Sequence, residues 1–294
     1  MNTKLHIFKV VAEQLSFTKA SELLFISQPA VSKTIKNLEE AYKSNFFIRR
    51  RNSIALTEDG KAFLIYANRI LSIYHEMENQ FLNLKNALPE HIHFGVSTTV
   101  ANYIIPKILA KFRTQYPQVH VEITSGNSEE IEHLILNEHL NFGITEGKHS
   151  NPQLHFKKFT KDEIVLVTNV KNTTIKSNII DKSALQNLPM VEREIGSGTR
   201  GVIYSILKEN KISSLNTILH LNSTEAIKNY LYHSDSYAFL SINAVTEDLM
   251  NNKLKVIDIK EISMERWFYF VSRTGYNSKI MAFFEKFTAS HYNF

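Results

Sequence analysis

Gln28, Ser32, Lys33 and Lys36 are spaced so that, on a helix, they share one face within an arc of about 140° at ~100° per residue. Their chemistry suits a nucleic acid. Gln pairs with adenine, Lys with guanine or phosphate, and Ser with base edges or phosphate. Arg49, Arg50 and Arg51 follow and can lie along phosphates, which fix register rather than sequence. A second set suits a small anion. Ser97-Thr98-Thr99 closes a predicted strand and opens a helix, offering hydroxyls and free backbone N–H groups at the positive helix end. Gly196-Ser197-Gly198-Thr199-Arg200 adds two glycines for close backbone approach, two hydroxyls and a charge. Gly126-Asn127 and Thr145-Glu146-Gly147 end two more predicted strands. Glu146 suits an acceptor-only anion poorly, so it is expected to pair with Arg200 or to receive a donor from the ligand. Each short stretch also has a plainer reading, as an N-cap or a turn.

The elements that must carry the first set are legible. Leu5, Phe8, Val11 and Ala12 stand at helical spacing, and Ser16 suits a cap before a second helix over Lys19–Phe25. Phe25 and Ile26 make a short turn. Ser27 caps a third helix, Gln28 to Tyr42, with Pro29 in its first turn, where the missing N–H costs nothing. Val31, Ile35 and Leu38 form its apolar side, opposite Gln28, Ser32, Lys33 and Lys36. Two helices joined by a tight turn, the second with a polar face, are a helix-turn-helix. Phe46-Phe47-Ile48 then anchors a strand, and Asn52-Ser53 turns the chain into Ile54-Ala55-Leu56, a wing carrying the arginines. The alternative is a helical hairpin with a basic loop. Charge favours the first reading: the whole formal excess of +5 falls within residues 1–57, and the remainder is neutral. A basic module on a neutral body meets a polyanion, here double-stranded DNA.

Thr57 can cap a long helix whose first turn carries Glu58 and Asp59 and which is expected to reach about Ala87. Tyr66, Ile70, Ile73, Met77, Phe81 and Leu84 follow at steps of three and four, close to a coiled-coil seam. The alternatives are a homodimer interface and a helix packed on its own domain. From His91 onward strands alternate with helices, which implies parallel or mixed sheets covered by helices. The start is not a signal peptide, and no run of about 18 apolar residues occurs, so a cytoplasmic protein without a membrane segment is expected. Absence of cysteine removes disulfides and thiolate metal sites. No phosphate loop, dinucleotide fingerprint, zinc-protease motif or nucleophile elbow is present, and His91-x-His93 reads as a strand edge. No catalytic residue, metal or cofactor is therefore expected.

"FTKASELLFISQPAVSKTIKNLEE" followed by "FIRRRNSIALTEDG" resembles the winged helix-turn-helix of LysR-type transcriptional regulators, nearly without gaps across residues 1–60. One departure lies before the wing. The family usually has a Leu-Gly pair and a Pro or Thr there, whereas this chain reads Tyr42-Lys43-Ser44-Asn45-Phe46, so the turn is expected to be shaped differently. The resemblance implies a DNA-binding domain over 1–57, with Gln28, Pro29, Ser32, Lys33, Lys36, Arg49, Arg50 and Arg51 facing DNA. It implies a dimerising linker helix over 58–88 and an effector domain over 89–294. That domain would hold two α/β subdomains like those of periplasmic binding proteins, about 91–167 with 267–294, and about 168–266. They would be joined by crossovers near Thr168-Asn169 and Arg266-Trp267. The implied function is a ligand-responsive bacterial regulator, dimeric or tetrameric, with RNA polymerase as a further partner. A small anionic effector would sit in the inter-subdomain cleft, at the loops named above. The stretches "STT", "GN", "EG" and "REIGSGTR" look most like the branch of sulfur-assimilation and carbon-fixation regulators. The competing reading is a solute-binding or enzymatic α/β protein whose N-terminal helices only oligomerise.

Overall fold

The computed structural model describes residues 2–50, 53–81, 91–147, 151–276 and 278–291. Its contacts divide the chain into two units, residues 1–88 with 137–139, and residues 89–136 with 140–294.

The first unit opens with helices α1 (Asn2–Gln14), α2 (Phe17–Leu23) and α3 (Gln28–Tyr42). Strands β1 (Phe47–Arg50) and β2 (Ser53–Leu56) pair antiparallel, Phe47 opposite Leu56 and Arg50 opposite Ser53. Helix α4 (Glu58–Phe81) follows. Leu5, Phe8, Val11, Ala20, Val31, Ile35 and Leu38 are buried together with Phe46 and Phe47. Phe8 is the pivot: its ring lies 5.4 Å from that of Phe46, 5.4 Å from Phe47 and 4.8 Å from Phe63. One carboxylate sets the start of the wing, because Glu39 Oε1 accepts from the backbone N–H of Phe46 (2.8 Å) and Phe47 (3.2 Å). Thr57 Oγ1 caps α4 by accepting from Gly60 N at 2.8 Å.

The departure before the wing has a backbone consequence. Lys43 ends α3 in the left-handed region, at φ +52°. Glycine occupies that conformation without steric cost, and lysine does not. Gly60 is constrained in a different way. A Cβ there would stand well under 3.0 Å from the carbonyl oxygen of Phe46, so α4 meets the base of the wing only because residue 60 has no side chain.

The second unit is built on strands β3 (His91–Ser97), β4 (His120–Gly126), β5 (Phe142–Glu146), β6 (Leu154–Asn169), β7 (Ile179–Ile180), β8 (Pro189–Arg193), β9 (Asn216–Leu221), β10 (Tyr237–Ser241), β11 (Leu254–Ile259) and β12 (Glu265–Arg273). Helices α5 (Ile105–Gln115), α6 (Ser128–Leu136), α7 (Gly198–Glu209), α8 (Thr224–Leu231), α9 (Ile242–Met250) and α10 (Lys279–His291) cover them, and a π-helical turn, Val100–Ile104, precedes α5. The strand order is β4-β3-β5-β12-β6-β10-β8-β9, with β11 on β6 and β7 on β11. Helices α5 and α10 close one layer through Phe112, whose ring stands 5.6 Å from Phe284 and 5.0 Å from Phe287.

Strand β6 belongs to both halves. From Leu154 to Glu163 it pairs antiparallel with β12; from Ile164 to Thr168 it pairs with β10, and from Leu166 to Asn169 with β11. The passage between halves therefore falls at Glu163-Ile164, a few residues before the Thr168-Asn169 that the resemblance implies. The physical reason is composition. "HFKKFTKD" is too polar to announce a strand, yet an antiparallel partner satisfies its backbone while its lysines stay in water. The second passage lies between the end of β11 and Glu265, and Arg266 sits directly opposite Asp162 across the two crossing strands.

Thermal unfolding of the full chain should separate these two backbone constraints. Lys43→Gly is expected to stabilise the first unit by up to about 1 kcal/mol. Gly60→Ala is expected to destabilise it by about 1–3 kcal/mol through overpacking.

Candidate functional site

Helix α3 presents two unlike faces. Ser27 Oγ accepts from Ala30 N at 3.4 Å, fixing its start, with Pro29 in the first turn. Val31 and Ile35 are fully buried and Leu38 nearly so. Gln28, Pro29, Lys33 and Lys36 are exposed, and Ser32 is half-buried. Gln28 Nε2 donates to Ser32 Oγ at 2.9 Å, which holds the two side chains together at the start of the helix. Lys36 reaches Glu40 at 3.6 Å, but both side chains are more than 60% exposed, so water screens the pair and Lys36 can exchange it for a stronger partner. Arg49 and Arg50 lie on β1, while Arg51 lies outside the described residues. The turn between α2 and α3 carries Phe25, which the sequence places there without giving it a role. Phe25 takes φ +53° and is 95% exposed.

Helix α4 likewise divides. Ala67 and Leu71 are buried in the first unit's core, with Phe63 and Leu64 packed against it. Tyr66 (60%), Ile70 (41%), Ile73 (65%) and Met77 (45%) stay exposed along another face. The Phe81 side chain and Leu84, the rest of the expected seam, lie outside the described residues.

In the second unit a hydroxyl-rich cluster gathers where the two halves meet, and Glu146 is its centre. The Glu146 side chain ends β5 and is 1% exposed. Its Oε1 accepts from Thr99 Oγ1 (3.0 Å), in the half containing β3, and from Thr199 Oγ1 (3.1 Å), on α7 of the other half. Ser197 caps α7 and accepts from Arg200 N at 3.4 Å. Gly198 is indispensable here: a Cβ would fall under 3.0 Å from both Ser128 Oγ and the Glu146 carbonyl oxygen.

The cation beside Glu146 is not the expected one. Among the described residues Arg200 makes no ion pair with it; its guanidinium lies over the Tyr204 ring at 4.5 Å. Arg266 is nearest, at 3.9 Å. Arg266 is 4% exposed, donates from Nη1 to Thr199 Oγ1 (2.7 Å) and from Nε to Asp162 Oδ2 (2.7 Å). Asp162 Oδ1 also accepts from Ser241 Oγ and Asn243 Nδ2, each at 2.8 Å. A second buried arginine, Arg193, donates to Thr98 Oγ1 (3.0 Å) in the opposite half, to Thr224 Oγ1 (3.2 Å), and to both oxygens of Glu194 (2.8 and 2.9 Å). The sequence reading missed Arg193, Arg266 and Asp162. The available signal was charge inside predicted apolar strands, "PMVER" and "RWFYFVS". Tyr103, in the π-helical turn, adds a further link between the halves by donating to Glu225 on α8.

The structure thus brings together Ser97, Thr98, Thr99, Glu146, Ser197, Gly198 and Thr199. It sets Gly126, Asn127 and Gly196 apart. Asn127 caps α6 reciprocally with Glu130, each bond 2.9 Å. The carbonyl of Gly196, at φ +88°, accepts from Glu129 N at 3.2 Å. Gly126 and Asn127 line a separate open cavity of about 620 Å³ with Glu129, His133 and Ile195. Among the described residues no cluster of His, Asp or Glu is placed to hold a metal. No described helix is long and apolar enough to cross a membrane.

Burial pushes the Glu146 carboxyl up, but Arg266, the Ser97 and Thr99 hydroxyls and Arg193 outweigh it and hold the group below its ordinary range. A depressed folded value means that the charged carboxylate stabilises the fold above the unfolded value of about 4.3, and that this contribution is lost as pH falls through the lower folded value. The difference in melting temperature between wild type and Glu146→Gln should therefore be largest near neutral pH and shrink steadily below about pH 4, measured by calorimetry from pH 7 to 3. A constant difference would show that the charge on this carboxylate contributes nothing.

Comparisons with known proteins fit both units. Residues 3–61 match the family described as "Bacterial regulatory helix-turn-helix protein, lysR family", and residues 85–291 match "LysR substrate binding domain". A "Probable RuBisCO transcriptional regulator" of Phaeodactylum tricornutum is 32% identical over 287 residues, covering 96% of this chain and 94% of the relative. Among solved structures, CbnR complexed with its target DNA matches at TM-score 0.70 and 16% identity, over 99% of each chain. The Synechocystis CcmR regulatory domain in complex with 2-PG matches at TM-score 0.62 and 24% identity, over 69% of this chain and 98% of that one.

Proposed function

We propose the working parts by which this chain, which belongs to the LysR family of transcriptional regulators, couples a small molecule to DNA. It is a ligand-responsive regulator rather than an enzyme. Gln28, Ser32, Lys33 and Lys36, with Pro29 at the start of their helix, read the major groove, and Arg49, Arg50 and Arg51 hold phosphates. The observation that carries this is the two-faced α3: Val31, Ile35 and Leu38 anchored in the core, and an exposed polar face free of acidic side chains in its first half. The +5 excess confined to residues 1–57 supplies the attraction to phosphate.

The exposed face of α4 forms a two-fold dimer seam through Tyr66, Ile70, Ile73 and Met77, and paired dimers give a tetramer. Four apolar side chains at seam spacing, all in water in the single chain, support this. Two-fold symmetry then requires an operator that is an inverted repeat. A small anionic effector enters between the halves of the second unit, at the cluster around Glu146, and changes how firmly they close. That shift alters how the oligomer grips and bends DNA, and so transcription through RNA polymerase. The 2-PG complex of CcmR and the DNA complex of CbnR, proteins of the same fold, are in keeping with both ends of this scheme. A regulator working on DNA in this way belongs in the cytoplasm.

Fluorescence anisotropy on the DNA upstream of its own gene, against scrambled DNA of equal length, tests the reading. Wild type should prefer the upstream DNA by about a thousandfold or more. Lys36→Ala should cost about 1–3 kcal/mol on that DNA and relax the preference, whereas Arg50→Ala should weaken binding about equally on all sequences. Equal, steeply salt-dependent binding of wild type to both DNAs would reduce the first unit to a phosphate-attracting surface. Sedimentation should show Ile73→Lys shifting the protein toward monomer; an unchanged assembly would remove the seam.

A further inference from the structure

At the junction of the two halves each buried arginine already has a close carboxylate partner. Arg193 is matched by Glu194, at 2.8 and 2.9 Å, and Arg266 by Asp162, at 2.7 Å. Glu146 is the carboxylate left over, 3.9 Å from Arg266, the edge of ion-pair range. Its Oε1 is satisfied by two threonine hydroxyls. Its Oε2 is buried; the Ser97 hydroxyl lies near enough to favour the charged carboxylate, but among the described residues no donor meets Oε2 within hydrogen-bond distance and angle. Leaving a buried acceptor unmet costs about 1–3 kcal/mol, and more when it is charged. Protonation does not relieve it, because Arg266, Ser97, Thr99 and Arg193 together favour the charged form against the cost of burial. The complementary gap lies on its neighbour: Arg266 Nη2 is buried and, among the described residues, meets no acceptor. The cluster therefore lacks one donor, for Glu146 Oε2, and one acceptor, for Arg266 Nη2.

Resting on the reading of this cleft as the effector site, we propose that it selects an oxyanion carrying its own hydrogen-bond donor, a protonated phosphate or a hydroxy acid, and rejects acceptor-only oxyanions. An anionic oxygen of the ligand meets Arg266 Nη2 and the start of α7, while its O–H donates to Glu146 Oε2. An acceptor-only anion of the same shape sets lone pairs against a buried carboxylate. Sites built to hydrogen-bond a ligand hydroxyl discriminate by factors as large as ~10⁴ against analogues that lack it.

Inorganic phosphate and sulfate are the matched probes: both tetrahedral, but only phosphate keeps a proton at neutral pH. Calorimetric titration of the full-length protein, at equal ionic strength, should show phosphate binding about a hundredfold or more tighter than sulfate. Glycolate against acetate, run in parallel, distinguishes a phosphoryl from a hydroxy-acid source: the pair with the larger ratio identifies it. Glu146→Gln should bring phosphate and sulfate within about threefold of each other, because an amide both donates and accepts. If that variant does not fold, the wild-type ratio decides alone. Sulfate binding as tightly as phosphate, with acetate equal to glycolate, would overturn the selectivity while leaving the cleft as an anion site. Failure of all four probes to bind would overturn the cleft reading itself, and the selectivity with it.

Discussion

The Arg266 guanidinium is the interaction on which the second unit depends. It lies on one of two strands that cross between the halves, opposite Asp162 on the other, and the two are joined at 2.7 Å. The same arginine reaches Thr199 on α7, and Asp162 accepts from Ser241 and Asn243 at the start of α9. A buried pair of this kind contributes modestly as a whole, yet loss of one partner costs about 3–5 kcal/mol, because the other charge is then stranded. The crossing strands are thereby held in one register, and the ends of β5 and α7 are fixed against each other. Gly198 completes the arrangement, since any side chain there would separate the two elements.

From that constraint the chemistry of the site follows. Thr99 and Thr199 approach one carboxylate oxygen from opposite halves, so Glu146 joins the two. Arg193 repeats the scheme by spanning from Thr224 to Thr98. Under the proposed function, a ligand at this cluster shifts the equilibrium between arrangements of the halves by no more than its differential affinity for them. The first unit obeys a separate and simpler constraint. Phe8 ties the helices to the wing, and Glu39 fixes the backbone at which the wing begins.

Much of this was legible in the amino-acid sequence. The period of Val31, Ile35 and Leu38 and the caps at Ser16 and Ser27 are local signals, and local signals determine helices. Ser97, Thr99, Glu146 and Thr199 were marked by their place at strand ends. What could not be read was pairing across long separations. Asp162 and Arg266 stand 104 residues apart, and neither has a local pattern that names the other. The polar start of β6 hides a strand, because its partner rather than its own side chains stabilises it. For Glu146 the sequence offers Arg200 or a donor from the ligand, because Arg200 stands in a neighbouring loop motif; the fold turns Arg200 onto Tyr204 instead. Gly126, Asn127 and Gly196 share the composition of the cluster but serve the start of α6, a distinction that only three-dimensional placement makes.

Everything proposed for the second unit turns on Thr99 and Thr199 acting through one oxygen of Glu146, and so coupling the two halves. The decisive experiment is a double-mutant cycle on unfolding free energy, with Thr99→Val, Thr199→Val and the pair together. Coupling through the shared oxygen predicts a departure from additivity of about 0.5 kcal/mol or more, because each hydroxyl's value depends on whether the other still serves that oxygen. Strict additivity would contradict it, for the two threonines would then be independent groups and Glu146 would not join the halves.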